Sequence, residues 1–310
     1  MLLYLFAAFA ICAAKKEAHF KNLLKTNNLT RVEVSRVPVV LWHGMGDSCC
    51  NPLSMGSVKK LIEERLPGVY VKSLMLGGNV ATDMEHGFIG NMNDLVLEAC
   101  AKIRLDPQLQ GGYHAMGFSQ GGLFVRALAE RCPDPPVKNL VSIGGPHQGI
   151  YGFPYCIGPT AICDSVRHLL EYGAYTAFVQ NHVVQAQYWH DPLNNEEYKS
   201  RNIFLSDLNN EKVVNPEYKA NMLKLKQFLL VIFSRDEMVV PRESTWFGFY
   251  KPGDLHTILP MNQTSLYLED RIGLRKLHES GRLHFLEVDG NHLQIPRDTL
   301  VKEVIDKYLA

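Results

Sequence analysis

The chain has 310 residues, of which 46% are hydrophobic and 21% charged, and its 32 Lys+Arg balance 32 Asp+Glu. That length and apolar content are enough for one large folded domain, or a domain with an insertion. With a pI of about 7.2 there is no basic excess to neutralise phosphates, which sets nucleic acid aside as a partner.

Residues 1–14 are almost wholly apolar and then meet Lys15-Lys16-Glu17. The run is too short to span a bilayer as a helix. Cys12 and Ala14 are small enough for cleavage positions, so 1–14 is expected to be a secretory signal peptide and 15–310 the mature chain. No later stretch is long and apolar enough for an anchor. Of 7 cysteines, Cys12 would leave with the leader. Cys49, Cys50, Cys100, Cys132, Cys156 and Cys163 remain, an even set that suits disulfides in an oxidising compartment. Their spacing is no C-x-x-C zinc pattern, so no metal is expected, and no cofactor motif is evident. Asn28-Leu29-Thr30 and Asn262-Gln263-Thr264 are glycosylation sequons.

Along the chain, residues 37–42 (VPVVLW) form a continuous apolar run, the mark of a strand buried on both faces. It leads into the glycine-rich turn His43-Gly44-Met45-Gly46-Asp47. A helix is expected over 58–66, a strand over 69–76 and a second helix over 91–105. Residues 112–118 read as a buried strand and 122–132 carry apolar side chains at helical spacing. Between them lies Gly117-Phe118-Ser119-Gln120-Gly121, a serine between glycines at a strand-to-helix turn. That is the setting of a nucleophile elbow, in which a sharp turn lifts the Ser oxygen clear of the sheet. Residues 139–143 are the next buried strand.

The alternation then stops. Residues 150–226 hold helical stretches at 165–170, 176–189 and 218–226 but no convincing strand, and many aromatics. They read as a helical insertion over the active-site face, part of an acyl-binding groove. The sheet resumes at 228–233 (FLLVIF), followed by Asp236, then at 283–288, followed by His292; a closing helix is expected over 298–309. An acid past a late strand and a histidine past the final one are where an acyl-transfer triad keeps its carboxylate and base. Glu237 is the nearest competitor to Asp236, with Asp254 and Asp270 further from any strand end. Among 12 histidines, position selects His292.

The order Ser119, Asp236, His292 is that of an α/β-hydrolase with a mostly parallel central sheet. Met45 and Gln120 are placed to offer the two backbone N–H groups of an oxyanion hole. The triad by itself does not choose between ester, thioester and amide. A secreted lipase or lysophospholipase, and a catalytically silent lipid-binding hydrolase fold, are the alternatives.

The stretches LWHGMGDSCCNPLSMG (41–56), YHAMGFSQGG (113–122), QAQYWHDP (185–192), STWFGFY (244–250) and GNHLQI (290–295) resemble the palmitoyl-protein thioesterases. WFGFY and YWHDP point to the lysosomal type 1 group. The resemblance implies removal of long fatty acyl groups from cysteine thioesters of proteins or peptides during lysosomal degradation, without a cofactor, in a lysosomal or secreted enzyme with no integral membrane segment. It implies Ser119, Asp236 and His292 as the triad and Met45 and Gln120 as oxyanion donors. It also implies the pairings Cys49–Cys50, Cys100–Cys132 and Cys156–Cys163.

Overall fold

The computed structural model describes residues 36–152, 164, 168–170 and 173–310. The expected leader, Asn28, Cys156 and Cys163 lie outside the described residues.

Six strands make one parallel sheet in the order β2-β1-β3-β4-β5-β8. They are β1 (Val39–Trp42), β2 (Val71–Ser73), β3 (Tyr113–Phe118), β4 (Val137–Ile143), β5 (Gln227–Phe233) and β8 (Leu283–Val288). Alternation of side chains across a strand explains why β1, covered on both faces, is apolar throughout. Val40 and Trp42 point into one core with Phe124 and Leu128, while Val39 and Leu41 point into the other with Ile62 and Val304. All four β1 residues have no exposure.

Helices cover both faces. α1 (Met55–Arg65) and the C-terminal helical segment (Leu300–Leu309) share the Val39 side. α2 (Met92–Arg104) and α3 (Gln120–Arg131) share the Trp42 side. The Asn91 side chain caps α2 by accepting from the Asn93 amide. Cys100 on α2 is bonded to Cys132, just past α3, and Cys49 is bonded to its neighbour Cys50. A small antiparallel pair, β6 (Phe249–Tyr250) and β7 (Ile258–Leu259), was not expected from the sequence.

Several expected elements differ. The helix expected over 218–226 spans Pro216–Met222, capped by the Asn215 side chain, and Lys226 already bonds to the Lys138 carbonyl of β4. The strand expected over 69–76 pairs only at Val71–Ser73, because it is an edge strand with β1 as its sole neighbour. The strand expected from Gly112 begins one residue later, since Gly112 has a φ of +85° and turns the chain into β3. The helix expected over 176–189 is two pieces, α4 (Ala177–His182) and a 3-10 turn (Val184–Tyr188). Val183 leaves the helical region to bridge with Ile89, and the Gln180 amide spans the break by donating to Ala174 and Ala186 carbonyls.

Among the described residues, 150–226 contains helices and no strand of the sheet. Tyr188 and Phe204 are buried in the same core as Trp42 and Phe124, whereas Phe178 is 65% exposed. A buried arginine ties this stretch to α3. Arg126 on α3 meets Glu130 at 3.2 Å and donates to the His147 carbonyl and the Asn209 side chain.

Candidate active site

Ser119 sits between β3 and α3 with φ 54° and ψ −128°. Such a conformation costs on the order of 1–3 kcal/mol and persists only where its surroundings enforce it. The glycines on either side do so. A Cβ on Gly117 would lie 2.0 Å from the Gly121 carbonyl oxygen, and one on Gly121 would lie 2.5 Å from those of Trp42 and His43. Only glycine lets strand, helix and the β1 turn approach that closely.

His292 follows β8, and Asp236 follows β5. The His292 Nδ1 stands 2.6 Å from Asp236 Oδ2, and its Nε2 stands 2.8 Å from Ser119 Oγ. A carboxylate only accepts, so the tautomer with a proton on Nδ1 donates to Asp236 and leaves Nε2 as the acceptor facing Ser119. The other Asp236 oxygen accepts the amides of Met238 and Val239, which fixes the carboxylate plane. The His292 side chain is 5% exposed and that of Asp236 fully buried. Gly144 is bare for a reason: a Cβ there would stand 3.1 Å from His292 Cε1.

The turn after β1 lies against the serine. A Cβ on Gly44 would be 3.7 Å from Ser119 Oγ, so the chain at 44–45 borders the reacting oxygen. Gln120 is the first residue of α3, where the amide has no partner within the helix. Its side chain is held back from the site, as its Oε1 accepts from the Tyr188 hydroxyl at 3.0 Å and from Gln185 at 3.3 Å. The Met45 side chain packs on a small cluster containing Leu170, Val179 and Val183. Residues from 150–226 therefore pack against the side chains of Met45 and Gln120.

A cavity of about 570 Å³ opens at Ser119 and His292. Met55, Val58, Leu61, Leu293, Ile295 and Leu300 are among its walls, so it runs between α1 and the C-terminal segment. Among the described residues, none from 150–226 lines it. The size lies within the range of small-molecule sites, and the walls suit a hydrocarbon chain.

Other sequence candidates fall elsewhere. Glu237 is exposed beside Asn291. Asp270 is buried but pairs with Lys219 at 2.8 Å, and Asp254 caps the His256 amide. His147 is buried against Phe247 and bonded to Ser142. Among the described residues, no cluster of three or more His, Cys, Asp or Glu side chains is arranged to hold a metal.

Sequence reasoning missed Asp83. It has no exposure, accepts the Cys49 and Leu76 amides at 2.8 and 2.7 Å, and faces His43 Nε2 at 3.3 Å. Burial pushes its carboxyl up, but His43 and the two amides outweigh that and hold it below the ordinary value. Nothing in the local sequence around Thr82-Asp83-Met84 marks this role. Asn291 was also missed. Its Oδ1 accepts the His292 and Glu237 amides and so orients the histidine loop.

A parallel sheet with a strained serine at the β3–α3 elbow, an acid after β5 and a histidine after β8 defines an α/β-hydrolase. The family model described as palmitoyl protein thioesterase matches residues 38–292. The chain is 64% identical to palmitoyl-protein thioesterase 1 of Caenorhabditis elegans, over 94% of both chains. It is 36% identical to palmitoyl-protein thioesterase 3 of Dictyostelium discoideum, covering 86% of this chain and 88% of that one. It is also 36% identical to a palmitoyl-protein thioesterase-dolichyl pyrophosphate phosphatase fusion of Schizosaccharomyces pombe, over 84% of this chain and 42% of that one. The chain belongs to the palmitoyl protein thioesterase family and is a thioester hydrolase.

Proposed function

We propose that the enzyme removes palmitoyl and similar long acyl groups from cysteine thioesters of proteins or peptides, with Ser119, His292 and Asp236 as its triad. The observation that carries this reading is the unbroken chain of contacts Asp236–His292–Ser119, at 2.6 and 2.8 Å, at the mouth of an apolar cavity.

The Ser119 oxygen attacks the thioester carbonyl carbon while His292 Nε2 takes its proton. The Asp236 carboxylate holds the ring tautomer and stabilises the imidazolium. Negative charge on the former carbonyl oxygen meets the amides of Met45 and Gln120. Collapse breaks the carbon–sulfur bond, and the imidazolium proton accompanies the departing thiol. A thiol pKa near 8.5 makes this departure easier than that of an alcohol. Water then attacks the acyl-serine, with His292 again accepting and returning a proton, and releases the fatty acid.

The acyl chain lies in the cavity between α1 and the C-terminal segment. The insertion contributes to catalysis by fixing Gln120 and the Met45 side chain. Work in the lysosome is part of the same reading, supported by the family resemblance and by the two disulfides of the described chain. Among the described residues no helix is long and apolar enough to cross a membrane.

The test is hydrolysis of a palmitoyl-cysteine peptide by the wild type and by Ser119→Ala, with the matching oxygen ester alongside. Release of free thiol by the wild type alone is expected, with the thioester preferred over the ester. A Ser119→Ala enzyme that works at the wild-type rate overturns the nucleophile. A preference for the oxygen ester turns the reading toward a lipase.

A further inference from the structure

An apolar groove of about 410 Å³ lies outside the described site, between β8, the 3-10 turn before β6 and the segment after β7. Trp246, Met261 and Phe285 give it an aromatic and apolar floor, with Glu243 and His278 at its edges. Trp246 and Phe285 meet edge to face at 5.4 Å, and Phe285 is 38% exposed on the edge strand. The indole N–H of Trp246 is committed to the Leu230 carbonyl, so what faces the groove is ring and not polar edge. Exposed apolar surface of this kind ordinarily has an occupant.

Asn262 stands in the wall of this groove. Its side chain is exposed. It opens the sequon Asn262-Gln263-Thr264. We propose that Asn262 carries an N-linked glycan and that its first sugars lie in the groove. Pyranose rings present C–H groups on one face and hydroxyls at the rim. The C–H faces suit the electron-rich faces of Trp246 and Phe285, and the hydroxyls suit Glu243 and His278. The occupant is thus tethered at the site it covers, and burying the apolar floor adds to stability.

The sugar arrives by transfer from a lipid-pyrophosphate oligosaccharide. The Asn262 Nδ2 attacks the anomeric carbon, the carbon–oxygen bond to pyrophosphate breaks, the carbon–nitrogen bond forms, and the amide loses one proton as lipid pyrophosphate leaves. Folding then commits the Thr264 hydroxyl, which donates to the Met261 carbonyl and accepts the Tyr267 amide. Transfer therefore belongs to the chain before this turn has formed. The inference rests on entry of the chain into the secretory route.

The full-length chain is expressed in eukaryotic cells and recovered from the organelle lumen or medium. Amidase release of glycans in heavy-oxygen water marks each formerly glycosylated asparagine as a labelled aspartate. A labelled residue 262 is expected. After release, exposure of the groove should red-shift tryptophan emission and raise binding of an apolar dye, and Trp246→Phe should abolish the emission change. Thr264→Ser keeps both the cap and the sequon and should keep the glycan, whereas Asn262→Gln should lose it. A lumenal chain with residue 262 bare overturns this inference alone. A glycan whose removal leaves emission and dye binding unchanged overturns its seat in the groove. A chain found only in the cytosol overturns both the inference and the secretory reading.

Discussion

The Asp83 carboxylate accepts the amide of Cys49, 34 residues away, at 2.8 Å. With its other oxygen it meets the Leu76 amide and the ring of His43. One buried side chain thus contacts both ends of the 44–48 turn, which borders Ser119 at Gly44.

Asp83→Asn keeps the shape of the side chain but turns one acceptor into a donor facing an amide. Leaving such buried groups mispaired costs about 1–3 kcal/mol of stability. A turn displaced by a fraction of an ångström should also lower kcat by roughly tenfold to a hundredfold, with KM nearly unchanged. Steady-state kinetics and urea unfolding on the same preparation check both. A destabilised variant with wild-type kcat would confine Asp83 to a structural role.

The triad members should fail by different amounts. Ser119→Ala should lower kcat by about 10⁶, and Asp236→Asn by about 10⁴, because the asparagine favours the wrong imidazole tautomer. Pre-steady-state measurement should show an acyl-enzyme burst in the wild type and none in Ser119→Ala. Equal losses in the two variants would contradict the assigned division of roles.

Two buried histidines predict how stability depends on pH. Burial is the main cause that pushes His114 down to about 4, with Lys138 and Lys226 adding to it; burial likewise pushes His190 down to about 4. Geometry agrees for His114, whose Nδ1 accepts the Asn139 amide and so must be unprotonated. The unfolded chain binds protons at these rings below a pH of about 6.5, where the folded chain does not. Their stabilising contribution is therefore complete above that pH and lost as pH falls toward 4. Each can contribute at most about 1.4 kcal/mol per pH unit within that window. Urea unfolding at pH 7 and pH 5 should show lower stability in acid, and His114→Gln should flatten the difference. An unchanged slope would remove His114 from the account.

Arg126 and Glu130 are both fully buried and meet at 3.2 Å. Arg126→Met leaves the Glu130 carboxylate without its partner and should cost about 3–5 kcal/mol. Adding Glu130→Leu should recover much of that loss, because the unpaired charge is then gone. A double-mutant cycle by urea unfolding checks this. A double variant as unstable as the single one would mean that the bonds from Arg126 to His147 and Asn209 dominate instead.

The sequence by itself determined the parts that depend on neighbours in the chain. Unbroken apolar runs at 39–42 and 228–233 specify β1 and β5, because a strand buried on both faces needs them. The glycines around Ser119 specify the elbow, because no other residue fits where Gly117 and Gly121 meet backbone. Strand ends singled out Asp236 and His292, whose side chains the fold brings into one chain of contacts with Ser119. Tertiary structure decided what depends on distant partners. Asp83 reads as an ordinary helix residue until the fold brings Cys49, Leu76 and His43 to it. The break at Val183 follows from its bridge to Ile89, which outweighs a good local helix pattern. The cavity at Ser119 has walls from α1 and the C-terminal segment, two elements far apart in sequence. Periodicity reports which face of an element is apolar, whereas the packing of separate elements decides which apolar faces meet and where a gap is left between them.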